Sequence, residues 1–126
     1  RYYANKIGKA NKWLPVNITL STHVLNLETG KPVDNLSVTL SNENGREIAR
    51  ERTDNDGRIP LFPNLDEGTF ELCFETGMWF TETYRDLPDS FFYPEVRIRF
   101  IVNSSQTHYH VPLLLNRYGY STYRGS

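Results

Sequence analysis

The sequence predicts an all-β domain, a two-sheet antiparallel sandwich of about eight strands with one short helix. Three observations carry this. From Ile18 onward, short stretches rich in Val, Ile, Thr, Phe and Tyr alternate apolar with polar residues, the period of a half-buried strand. Clusters of turn residues separate those stretches. A single segment departs from the period of two.

The elements follow in order. Residues 1–16 lack a clear period and are rich in positive charge between Arg1 and Lys12, so they read as an N-terminal extension, a loosely held arm. Residues 17–126 then form one domain. The expected strands are Ile18–Asn26, Ser37–Ser41, Glu47–Thr53, Arg58–Leu61, Thr69–Glu75, Glu95–Val102, His108–Leu115 and Tyr120–Arg124. Turn signals fall at Thr29-Gly30-Lys31-Pro32, Asn42-Glu43-Asn44-Gly45, Asp54-Asn55-Asp56-Gly57 and Asp66-Glu67-Gly68. Asn-Gly and Asp-Gly tolerate the positive φ that tight turns require. Gly77 to Arg85 reads as the short helix, ended by Leu87-Pro88. The aromatic cluster Trp79, Phe80, Phe91, Phe92 and Tyr93 is expected to pack around it.

Composition narrows the function. A chain of 126 residues suits one domain able to fold without staples. The single cysteine, Cys73, excludes an internal disulfide and reads as a small core residue between Leu72 and Phe74. Fourteen basic and fifteen acidic residues give a net charge of -1 with no basic stripe, so nucleic acid is not an expected partner. No apolar run is long enough to span a bilayer, so no membrane association is expected. The compartment is left open: the cytoplasm is favoured, with the periplasm after removal of a leader, or the peroxisome, as alternatives. Asn17-Ile18-Thr19, Asn35-Leu36-Ser37 and Asn103-Ser104-Ser105 match a glycosylation pattern too short to carry weight.

Strand parity places the chemistry. In the first strand Ile18, Leu20, Thr22 and Val24 share one face, and Ser21, His23 and Leu25 the other. In the seventh, His108, His110, Pro112 and Leu114 oppose Tyr109, Val111, Leu113 and Leu115. Each strand thus has an apolar face and a second face mixing histidine with apolar residues, as expected of a surface covered by another subunit. Imidazoles move protons near neutral pH, and Arg58, opening a strand after a turn, can hold a polarised oxygen. The bland alternative is structural hydrogen bonding by these histidines. Metal binding is another: His108 and His110 stand about 7 Å apart on one face, but no HExxH or CxxC pattern supplies further ligands. Asp54 and Asp56 lack the later glutamate of a calcium loop and read as a turn. No G-x-S-x-G marks a serine nucleophile.

Four blocks carry a family resemblance. The chain closes Tyr118-Gly119-Tyr120-Ser121-Thr122-Tyr123-Arg124-Gly125-Ser126, preceded by His108-Tyr109-His110-Val111-Pro112-Leu113-Leu114-Leu115. Thr22-His23-Val24-Leu25-Asn26 with Gly30-Lys31-Pro32, and Thr53-Asp54-Asn55-Asp56-Gly57-Arg58, complete the set in order. The chain from about residue 18 to 126 resembles the 5-hydroxyisourate hydrolases of the transthyretin-like family. The His-x-His-Val-Pro block and the terminal tetrapeptide are specific; the central block alone is not.

The resemblance implies a transthyretin-like (prealbumin-like) sandwich, a homotetramer built as a dimer of dimers, and active sites where dimers meet. It implies hydrolysis of 5-hydroxyisourate, in urate degradation, with no cofactor and no metal. By motif, the catalytic residues fall on His23, Arg58 and His110. Substrate-binding residues fall on Tyr123, Arg124, Gly125 and Ser126, with His108 in support. Asn116-Arg117 departs from the Ser-Pro common in the family's last turn, and residues before Ile18 have no counterpart in its core. Two rivals remain. A transthyretin-like hormone carrier predicts an apolar channel without these polar groups. A stalk-type sandwich module shares the Gly30–Val33 and Thr53–Gly57 turns but has no use for two histidine blocks.

Overall fold

A computed structural model describes residues 3–4, 14–15, 17–87 and 90–126. Two short segments, β1 (Tyr3–Ala4) and β2 (Leu14–Pro15), pair antiparallel. The rest of the expected N-terminal arm lies outside the described residues. The domain then runs β3 (Thr19–Asn26), β4 (Lys31–Pro32), β5 (Ser37–Asn42), β6 (Glu47–Arg52), β7 (Arg58–Ile59) and β8 (Gly68–Phe74). It continues with α1 (Thr76–Thr83), β9 (Val96–Val102), β10 (His108–Asn116) and β11 (Gly119–Thr122).

Two sheets result. One has the order β11-β10-β3-β4, with β7 also paired to β3; the other has the order β6-β5-β8-β9. Every pair is antiparallel except the central one. β3 and β10 run parallel over eight registered positions, from His108 against Thr19 to Leu115 against Asn26. The expected antiparallel sandwich is present, and this central pair is its one parallel exception among the described strands. Alternation fixes which side chains share a face but carries no information on strand direction. β10 follows β9, which lies in the other sheet, so the chain crosses over before it enters beside β3.

The core lies between the sheets. Ile18, Leu20, Val24, Val38, Leu40 and Leu113 are wholly buried, together with Phe62 and Phe74. Ile18, Leu20, Val24 and Leu113 lie on the apolar faces that parity gave the first and seventh strands. At about 25 cal/mol per Å² of apolar surface removed from water, such side chains dominate the stability. Asn42 shapes the β5–β6 hairpin: its side-chain oxygen accepts from the Asn44 and Arg46 amides at 2.9 Å. Gly45 takes φ 84 there.

Several boundaries move. β4 lies inside a predicted turn, where Leu25 pairs with Pro32 and Asn26 with Lys31. β7 has two residues rather than four because Pro60 cannot donate to the ladder. The helix starts and stops earlier than Gly77–Arg85, capped at Tyr84, whose amide bonds the Phe80 carbonyl; Pro88 lies outside the described residues. Phe80 stacks on Phe91 at 5.9 Å and meets Trp79 edge-on at 5.4 Å. Phe92 and Tyr93 do not join that cluster. Phe92 is 70% exposed, and Tyr93 meets Tyr120 of β11 at 5.6 Å. Cys73 is buried as expected, and burial pushes its thiol up to about 12.

Candidate active site

The site begins with a turn. In Asp54–Gly57 the Asp54 carboxylate accepts from the amides of Asp56 at 2.9 Å and Arg58 at 3.0 Å. Gly57 closes it with φ 73, and its carbonyl accepts from the Val24 amide at 2.8 Å. A Cβ at Gly57 would stand 2.5 Å from the Val24 carbonyl oxygen, so only glycine brings this turn against β3. The turn delivers Arg58 directly opposite His23 across the β3–β7 ladder.

The parallel pairing supplies the second half. Register sets His108 beside Thr19, His110 beside Ser21 and Pro112 beside His23. The Ser21 hydroxyl lies 2.7 Å from His110 Nδ1 and 3.1 Å from His108 Nε2. The Thr19 hydroxyl lies 2.6 Å from His108 Nδ1. Among the described residues, His110 Nε2 has no hydrogen-bond partner.

The tail closes over the imidazole. Gly125 bridges to His110, its amide donating to the His110 carbonyl at 2.8 Å. A Cβ at Gly125 would approach His110 Cδ2 to 2.6 Å, so the backbone there packs directly against the ring. A polar cleft of about 310 Å³ is lined by Ser21, Thr22, Arg58, Pro60, His108, His110 and Ser126. His23 adjoins it through Arg58. Tyr123 and Arg124 are not brought to this cleft. They border a separate, more apolar cleft of about 300 Å³ with Ile98, Phe100 and Tyr109. Parity could not separate the two, because the tail leaves β11 after Thr122.

Electrostatics favour a neutral imidazole at His110. Partial burial lowers its pKa below the ordinary 6.5, and positive charge on Arg58 lowers it further, followed by His108 and His23. Hydrogen bonding at Ser21 opposes this. Ser21 and Thr19 were not singled out from sequence, although Ser21 shares the His23 face; hydroxyls are too common on strands to stand out. Ring nitrogens of both paired histidines are engaged by the Ser21 hydroxyl, and among the described residues no group of three or more His, Cys, Asp or Glu is placed to hold a metal ion.

Fold and cleft together define a class, a small β-sandwich presenting imidazole and guanidinium groups on an outer sheet face. The HIUase/Transthyretin family model matches residues 20–125, and the chain belongs to that family. It is 41% identical over 116 residues to the 5-hydroxyisourate hydrolase of Salmonella dublin, covering 87% of this chain and 82% of the relative. The structure of Klebsiella pneumoniae 5-hydroxyisourate hydrolase superposes with a TM-score of 0.76 at 38% identity, over 86% of this chain and 94% of that one. Sea bream transthyretin in complex with thyroxine superposes with a TM-score of 0.75 at 23% identity, over 84% and 93% of the two chains, a likeness of fold alone. The relatives named as hydrolases make this chain an enzyme.

Proposed function

We propose that the protein hydrolyses 5-hydroxyisourate to 2-oxo-4-hydroxy-4-carboxy-5-ureidoimidazoline in urate degradation. The observation that carries this reading is the convergence of Arg58, His108, His110 and Ser126 on one polar cleft, with His23 registered against Arg58. The substrate is small, planar and rich in carbonyl groups. Such a molecule suits a cleft that offers a guanidinium and imidazoles.

In this reading His110 and His23 activate and orient a water molecule. Its oxygen adds to a ring carbonyl carbon, and the ring C–N bond then breaks. The departing nitrogen takes up a proton and the new carboxyl group remains. Arg58 stabilises the oxyanion without giving up a proton, because guanidinium stays charged at any working pH. His108 supports His110. Gly125 and Ser126 form the pocket wall.

Assembly belongs to the same proposal. Tyr123 and Arg124 serve as substrate contacts only in a site composed between subunits, in keeping with a homotetramer built as a dimer of dimers. Half-buried Leu25 and Leu114, on the histidine-bearing face, support coverage of that face by another copy.

The test is a spectroscopic assay of freshly generated 5-hydroxyisourate, with spontaneous decay subtracted. Acceleration by the protein is expected. Decay at the uncatalysed rate, together with tight binding of thyroxine, would assign the chain to the carriers instead.

A further inference from the structure

The proposed reaction leaves open which imidazole takes the proton from water, and the hydrogen bonds around Ser21 decide it. This inference rests on the hydrolase reading and deepens it. Four groups stand in line: the Thr107 carbonyl, the Thr19 hydroxyl, the His108 ring and the Ser21 hydroxyl, ending on His110. The Thr19 hydroxyl lies 3.3 Å from the Thr107 carbonyl oxygen and 2.6 Å from His108 Nδ1. The Ser21 hydroxyl lies 3.1 Å from His108 Nε2 and 2.7 Å from His110 Nδ1.

Each hydroxyl has one proton and each neutral imidazole has one. Ser21 therefore donates to only one of the two histidines and must accept from the other. The carbonyl at the far end can only accept, which gives the line a direction. With Thr19 donating to Thr107, Thr19 accepts from His108 Nδ1–H. His108 Nε2 is then bare and accepts from Ser21, and Ser21 accepts from His110 Nδ1–H. All four contacts carry a proton. Reversing the line turns the Thr19 proton onto His108 and leaves the Thr107 contact without one. The forward direction makes one more hydrogen bond within the chain, at the exposed Thr19 end of the line, and passes its direction to the two part-buried Ser21 contacts.

We infer that this line fixes His110 in the tautomer with its proton on Nδ1 and a free lone pair on Nε2, making His110 the base that activates water. Ser21 and Thr19 are positioning residues that act through the imidazoles. His108 relays the orientation and is not itself the base. His23, set between Arg58 and Pro112 and outside this line, orients water or substrate.

The tautomer can be read directly. The chain has only three histidines, so two-bond proton–nitrogen correlation spectra of the uniformly labelled protein, at a pH where His110 is neutral, assign each ring with the help of single variants. His110 is expected as the Nδ1–H tautomer. Ser21→Ala should move it toward Nε2–H and lower kcat by roughly 10²-fold, with KM little changed. Ser21→Thr, which keeps a hydroxyl, should restore both tautomer and kcat. An Nε2–H tautomer at His110 in the unaltered protein would overturn the inference. So would a Ser21→Ala protein with unchanged tautomer and kcat. If Ser21→Ala does not fold, the unaltered spectrum and Thr19→Val, which removes the far link, still decide. Failure of the hydrolase reading is a separate outcome, seen as absence of turnover by the unaltered protein whatever its tautomer.

Discussion

Arg58 is the direct cross-strand neighbour of His23, their positions paired where β7 meets β3. The guanidinium therefore owes its place to a two-residue ladder and the turn before it, not to packing, and it is exposed. Arg58→Met should leave the unfolding midpoint nearly unchanged, as surface substitutions usually do, within about 0.5 kcal/mol. Its hydrolysis of 5-hydroxyisourate should fall by roughly 10²–10³-fold, the cost of one oxyanion donor. His110→Ala should be equally folded and inactive. Full activity in either variant would remove that residue from the mechanism.

Acid should silence the enzyme through His110. Its pKa lies below 6.5 because burial and the neighbouring cation disfavour the charged ring, Arg58 on β7 acting with His108 on β10 and His23 on β3. In the proposed mechanism the neutral form is the base, so kcat/KM should fall with an apparent pKa below 6.5. Stability should follow the same sign. Between 6.5 and the folded value the unfolded chain binds the proton first, so stability falls as pH drops through that window. In Arg58→Met the His110 titration, followed by NMR, should move upward toward 6.5. A downward shift, or none, would contradict the assigned electrostatics.

Gly125→Ala should injure catalysis more than folding. The added methyl would meet His110 Cδ2 at 2.6 Å and must displace either the tail or the ring. Gly125 lies beyond the last strand, where the backbone can yield, so the thermal midpoint should hold within a few degrees. Turnover should drop at least tenfold if the ring geometry matters as proposed. Wild-type kcat in this variant would show that the tail does not set the imidazole.

Gly57→Ala should injure both. Its φ of 73 strains any L side chain, and the methyl would collide with the rigid Val24 carbonyl. A loss of roughly 1–3 kcal/mol in urea unfolding is expected. Activity should fall as well, because Arg58 follows immediately.

Cys73 should resist thiol reagents in the native protein, since burial holds the thiol near 12 and the thiolate is the reactive form. Its labelling should appear only with global unfolding in urea. Rapid labelling of the folded protein would refute the buried placement.

The sequence made much of this legible, for identifiable reasons. Parity put His23, His108 and His110 on the outer face because a period of two leaves no other choice once Leu20, Val24, Val111 and Leu113 turn inward. The Asp54–Gly57 turn was readable because an Asx carboxylate and a glycine have few other uses together. Other features were hidden. β4 escaped because Lys31-Pro32 looks like a turn and pairs through only two positions. The parallel match of β3 with β10 lay beyond reach, since periodicity does not record strand direction. Without that register, nothing joined Ser21 to His110, and the placement of Tyr123 and Arg124 apart from the histidine cleft could not be foreseen.

The parallel register of β3 and β10 ties the first strand of the domain to nearly the last, with partners such as Ser21 and His110 separated by 89 residues. During translation, Ser21 emerges 89 residues ahead of His110. The cleft thus comes together only after β10 has docked beside β3 and Gly125 has settled on the imidazole. Any premature stop before His108 would release a chain that carries Arg58 and His23 but lacks the strand that brings His108 and His110 to the cleft.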